Sequence, residues 1–109
     1  MTVNELAKEL SLREITVDDP EREIDGVYCG DLLSWVMGRA KSGNVWVTIM
    51  SNINVVAVAS LCDVSVVVLA EGVELEDEVI RKAASQGINI YTSSDTAYVL
   101  CAKLGKLFD

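Results

Sequence analysis

Between Gly43 and Ala70 the chain reads GNVWVTIMSNINVVAVASLCDVSVVVLA. Its apolar positions form two short runs, Val45 to Met50 and Ser65 to Leu69, on either side of a segment opened by Ser51, Asn52 and Asn54. Successive strand side chains alternate, so Val45, Val47 and Ile49 fall on one side of the first run and Trp46, Thr48 and Met50 on the other. Both sides are largely apolar, which predicts a central strand covered on both faces, as parallel strands are. VSVVVLA predicts a second buried strand. The intervening NINVVAVASL is rich in valine, yet its length and its place between two strands predict a helix that carries the chain back across the sheet. That helix is apolar nearly all round, so a second layer of the chain or another subunit is expected to cover it.

The flanks follow the same rhythm. Thr2 and Glu5 form a capping box, and Leu6 and Leu10 continue at helical spacing. Arg13 to Val17 alternates as a strand until Asp18, Asp19 and Pro20 break it. Glu23 to Tyr28 reads as another strand, with Gly26 as a bulge. Gly30 and Asp31 turn into a helix, LLSWVMGRA, with Asp31 as N-cap and Leu32, Leu33, Val36 and Met37 on one face. After Ala70, EGVELEDEVIRKAASQG has acids first, bases late and Gly87 last, the charge order a helix dipole favours. Ile88 to Thr92 is the next strand, Ser93 to Asp95 the next cap, and TAYVLCAKLG the last helix, stopped at Gly105. Consecutive strand-helix units predict parallel strands joined by right-handed crossovers. The expected fold class is α/β: a single small domain with a mainly parallel sheet and helices on both faces.

Composition narrows the partners. A chain of 109 residues, half of them hydrophobic, is too apolar to be disordered and fits one domain without staples. It has no apolar run long enough to span a bilayer, and TVNELAKEL is amphipathic rather than a signal core, so a soluble cytoplasmic protein is expected. Seventeen acidic residues against nine scattered basic ones, net −8, argue against a nucleic acid or an anionic membrane surface as partner. Cys29, Cys62 and Cys101 contain no CxxC pair and read as buried thiols. With no histidine, one chain cannot complete a zinc or iron-sulfur site. Missing too are GxxxxGK[ST], GxGxxG and any nucleophile spaced against a base, so no catalytic residue, cofactor or metal is expected. Glu71, Glu74, Glu76, Asp77 and Glu78 read as a solvated helix start, and Trp35 and Trp46 as core.

Ligands of open α/β sheets collect beyond the carboxyl ends of the strands. Four turns are predicted there: Cys29-Gly30-Asp31, Ser51-Asn52-Ile53-Asn54, Glu71-Gly72 and Thr92-Ser93-Ser94-Asp95. The candidate ligand-binding residues are accordingly Gly30, Asp31, Ser51, Asn52, Asn54, Glu71, Gly72, Thr92, Ser93, Ser94 and Asp95. Helix capping alone would account for Ser, Asn and Asp at these positions. Asp31, Glu71 and Asp95 could instead share a divalent cation. None of the four turns contains Lys or Arg, so a nucleotide would draw charge from Arg39, Lys41 or a second subunit. Ile53, Val56, Ala57 and Ser60 of the apolar helix are the candidate interface.

From about Ile24 to Leu104 the chain resembles the DRTGG domain family and, more distantly, the N-terminal domain of HPr kinase/phosphorylase. The resemblance rests on GVYCGDLLSWVMGRAKSGNVWVTIMSNINVVAVASL, on VVVLAEGVELEDEVIRKAASQGINIY and on TSSDTAYVL. There is no literal DRTGG, and Ala70-Glu71-Gly72 is the corresponding glycine turn. The resemblance implies a regulatory, non-catalytic, homodimeric domain. Family members accompany CBS modules that bind adenine nucleotides, so a small effector, such as an adenine nucleotide, is expected at the strand-end turns. Stand-alone copies alongside hydrogenase genes in anaerobic bacteria imply the alternative, a structural partner-binding subunit of a redox assembly.

Overall fold

The computed structural model describes residues 1–108. In chain order it contains α1 (Val3–Glu9), β1 (Arg13–Thr16), β2 (Val27–Cys29), α2 (Leu33–Arg39), β3 (Val45–Thr48), α3 (Asn54–Cys62), β4 (Val66–Leu69), α4 (Asp77–Ser85), β5 (Ile90–Thr92) and α5 (Ala97–Leu107). The strands form one sheet in the order β1-β5-β4-β3-β2. β2 to β5 are parallel to their neighbours, and β1 joins β5 antiparallel. None of the helices is long and apolar enough to cross a membrane among the described residues.

Because β2, β3, β4 and β5 are laid down in one direction, right-handed crossovers place α2, α3 and α4 on a single face. Val36, Val55, Val56, Ala59, Val79 and Ala83 from those helices pack there on Trp46, Val67, Leu69 and Ile90. On the other face Val3 and Leu6 of α1 and Leu100 and Leu104 of α5 pack on Val45, Val47, Val66, Val68 and Tyr91. The alternation read in VWVT thus feeds two cores, and every residue of β3 and β4 is buried.

Several local expectations hold and several do not. The capping box of α1 is present: Thr2 Oγ1 accepts the Glu5 amide at 3.1 Å and the Glu5 carboxylate accepts the Thr2 amide at 2.8 Å. The second strand starts at Val27 rather than Glu23, and Gly26 sits ahead of it at φ +81, a turn conformation and not a bulge. Asp31 does not cap α2; Leu32 does, with no side-chain bond. Only Leu33, Val36 and Ala40 of that segment reach the core, so Leu32 and Met37 lie outside the expected apolar face. Trp35 is 55% exposed, with the Arg39 guanidinium 3.9 Å from its ring centroid, whereas Trp46 is fully buried. The reason is position: α2 covers the end of the sheet, where its outer side has no neighbouring helix.

α3 is confirmed as a helix, with its valines turned into the first core. Val56 is therefore core and unavailable as interface, while Ile53, Ala57 and Ser60 are exposed beside Leu61. The last helix is capped by Thr96, whose Oγ1 accepts the Val99 amide at 3.2 Å, and not by Ser93 to Asp95. It passes through Gly105 to Leu107, so that glycine does not stop it. A buried Asn89 fixes the loop after β1: its Oδ1 accepts the Asp18 and Asp19 amides, and its Nδ2 donates to the carbonyls of Asp19 and Ser65.

Candidate functional site

The parallel strands deliver four turns to one edge, but the turns do different work. After β2, the Gly30 carbonyl accepts Trp46 Nε1 at 2.9 Å, and Asp31 Oδ1 accepts Thr48 Oγ1 at 2.7 Å and the Ile49 amide at 3.0 Å. Asp31 therefore ties the start of α2 to the end of β3. Beside it, burial pushes the Cys29 thiol up to about 11, with the Cys101 thiol and the Asp31 charge adding to the shift. After β3, Asn52 Oδ1 accepts the Asn54 amide at 2.9 Å, a local turn that starts α3. Ser51 and Asn52 then border an acidic hollow with Glu74, Glu76 and Glu78. Asn54 faces a separate groove between α3 and α4.

β4 leads to α4 on one face and β5 leads to α5 on the other, which makes the gap between them the topological switch point of the sheet. That gap is closed from within. Glu71, at φ +63, donates its amide to the Asp95 carbonyl at 2.8 Å, and Gly72, at φ +70, donates to the Ser93 carbonyl at 2.8 Å. The Glu71 carboxylate accepts the Ala97 amide at 2.9 Å and so occupies the start of α5. Thr92 is buried and donates to the Val73 carbonyl at 2.8 Å.

Open space lies beside this seam, toward β1. A groove of about 430 Å³ runs between the end of α1, the β5–α5 turn and α5, with Ser11, Ser93, Ser94, Asp95, Lys103 and Lys106 among its walls. A second hollow of about 340 Å³ shares Ser11 and Ser94 with it and adds Arg13, Gly72, Glu74 and Thr92. Antiparallel pairing of β1 on β5, with Arg13 opposite Thr92, brings Ser11 and Arg13 to the carboxyl edge. Lys103 Nζ meets Asp95 Oδ2 at 2.8 Å, Arg13 pairs with Glu74, and Ser93 Oγ accepts the Asp95 amide at 3.1 Å.

Of the candidate residues, the structure gathers Gly72, Thr92, Ser93, Ser94 and Asp95 around this space. It does not bring Gly30, Asp31, Ser51, Asn52 or Asn54 to it, and Glu71 is engaged in the seam. Nor do Asp31, Glu71 and Asp95 make a shared oxygen cage. Each has its own partner, and no group of three or more metal-ligating side chains forms among the described residues. The cations at the groove are Arg13, Lys103 and Lys106, in place of the expected Arg39 and Lys41. Sequence reading missed them because β1 pairing is non-local, and Lys103 lies two turns along α5 from Asp95.

No family model matches the chain, and no curated protein matches it. A solved structure does: the CBS and DRTGG domains of the regulatory region of Clostridium perfringens pyrophosphatase, complexed with its activator, diadenosine tetraphosphate. It superposes with a TM-score of 0.71 at 12% sequence identity, covering 94% of this chain and 45% of that one. The likeness is one of fold and bears out a DRTGG-like α/β architecture.

Proposed function

We propose that this chain is a non-catalytic regulatory domain that binds a small phosphate-bearing effector, in the first instance an adenine nucleotide, in the groove between α1, α5 and the end of β5. The observation that carries the reading is the convergence of Lys103, Lys106 and Arg13 with the Ser93 and Ser94 hydroxyls at a strand carboxyl edge. Hydroxyl and cationic donors around a cleft of this size suit a phosphate group. Three cations offset Glu9, Asp95 and Glu74 there, so the wall is close to neutral on a chain of net charge −8. Paired with Asp95 and Glu74, Lys103 and Arg13 are held in place before a ligand arrives. The fold neighbour supports the reading, since it is a regulatory region held with a nucleotide activator. Ser93 Oγ accepts the Asp95 amide and Lys103 pairs with the Asp95 carboxylate, engagements that suit a binding cleft. Free nucleotide would reach it in the cytoplasm.

Thermal-shift and calorimetric titration with AMP, ATP and inorganic phosphate test this. At least one nucleotide raises the midpoint, and the Lys103→Ala, Lys106→Ala double variant loses the response. No shift with any of them sinks the ligand assignment. The regulatory reading also takes the domain as a homodimer, supported by the exposed outer side of α3, where Ile53, Ala57, Ser60 and Leu61 border a groove of about 560 Å³. A clean monomer in sedimentation at micromolar concentration overturns that part.

One observation favours a second reading, a structural partner-binding subunit of a redox assembly: Leu32, Trp35 and Met37 of the α2 segment are all at least half exposed. That reading expects no nucleotide shift and a stable heteromeric complex on co-purification.

A further inference from the structure

Of the chain's three cysteines, Cys29 and Cys101 lie on one side of the sheet. Cys29 ends β2 in register with Val47 of β3, and residues paired across neighbouring strands point to the same face. Val47 belongs to the core under α1 and α5, so Cys29 projects toward those helices. Cys101 is on α5, which lies across β3, and packs against the same core. The Cys101 thiol adds to the upward shift of the Cys29 thiol, as a side chain close beside it does. Cys29 is exposed and Cys101 partly buried, so a reagent reaches the pair from the Cys29 side. Cys62 belongs to the opposite face, its thiol 3.6 Å from the Val36 carbonyl.

We propose that Cys29 and Cys101 form an oxidisable dithiol, a modification site closed into an intramolecular disulfide by a low-molecular-weight disulfide such as oxidised glutathione. The Cys29 thiolate attacks one glutathione sulfur, the S–S bond of the reagent breaks, and one glutathione leaves as thiolate and takes up a proton. The Cys101 thiolate then attacks the Cys29 sulfur of the mixed disulfide and expels the second glutathione. The protein loses two protons and two electrons, and the reagent gains them as two thiols. β2 is an edge strand with one neighbour. The new bond ties it to α5, the helix that carries Lys103 and Lys106 at the groove.

Burial, Cys101 and Asp31 hold Cys29 at about 11, so about one molecule in a thousand carries the thiolate near pH 8. Closure is therefore slow near neutrality and quickens about tenfold per pH unit below 11.

The test is incubation of the native protein with oxidised glutathione at about pH 9, followed by thiol titration in denaturant, intact mass and peptide mapping. Free thiols fall from three to one, the mass falls by about 2 Da with no glutathione retained, and the mapped bond joins Cys29 to Cys101. The oxidised protein melts about 5 °C higher than the reduced one. Cys62→Ser leaves the bond intact, and Cys29→Ser abolishes it. In about 6 M guanidinium the selectivity is lost and all pairings form, which separates native geometry from mere reactivity. Three free thiols, an unresolved glutathione adduct on Cys29, a bond to Cys62, or equal selectivity in native and denatured protein each overturns the proposal.

Discussion

The Glu71 carboxylate accepts the amide hydrogen of Ala97 at 2.9 Å, so the first turn of α5 is held by a residue from the loop that follows β4. An acid on a helix N-terminus is favourable, and here it also zips together the two loops that diverge to opposite faces of the sheet.

Glu71→Ala therefore destabilises the fold by about 1–2 kcal/mol, the usual scale for losing a helix cap or a charge-assisted hydrogen bond. Glu71 sits at φ +63, where glycine rests without strain. Glu71→Gly loses the same carboxylate yet recovers part of the loss by removing that strain. Urea denaturation of the two variants checks the order, and an alanine variant as stable as the glycine one contradicts the strain argument.

Asn89 is buried and bonds four backbone groups that join the loop after β1 to the start of β4. Asn89→Ala leaves those donors and acceptors without partners and costs about 3 kcal/mol, with the same midpoint lowering whether followed by circular dichroism or fluorescence. Asn89→Asp keeps the acceptor but loses the amide donor, and it retains no more than part of the stability.

The two tryptophans separate cleanly. Trp46 is fully buried and Trp35 is 55% exposed. Trp46→Ala costs about 3–5 kcal/mol, whereas Trp35→Ala changes stability by less than about 1 kcal/mol. Acrylamide quenches Trp35 emission in the native protein and leaves Trp46 largely unquenched; equal quenching would contradict the burial.

Cys29 gives stability a pH dependence with a definite sign. Its folded pKa, about 11, stands above the ordinary thiol value of 9.0, so between the two the unfolded chain gives up a proton that the folded chain keeps. The unfolded state then binds fewer protons, and stability falls as pH rises through that window while it is unaffected below it. Denaturation midpoints at pH 8 and pH 10 differ in the parent and differ less in Cys29→Ser. Native-state alkylation of Cys29 with iodoacetamide follows a midpoint near 11.

The α/β class, the two central strands, the return helix and the capping box of α1 were all legible in the sequence, because alternation and helical spacing are properties of neighbouring residues. Side-chain roles at the turns were legible only as a short menu. Ser93 and Asp95 looked like caps of α5, and Asp31 like the cap of α2, because a local pattern does not distinguish a cap from a residue bonded to another strand. Trp35 looked like core because its spacing does not reveal that α2 lies at the end of the sheet.

By itself the sequence determined the layers: which runs must be buried on both faces, and which segments must be helices to return the chain. Only the tertiary structure decided the groove. Antiparallel addition of β1 to β5 brings Ser11 and Arg13 beside Ser94, and the run of α5 over the opposite face brings Lys103 and Lys106 to the same wall. Strand order and strand direction are set by the packing of whole faces against one another, and that free energy has no local signature in the chain.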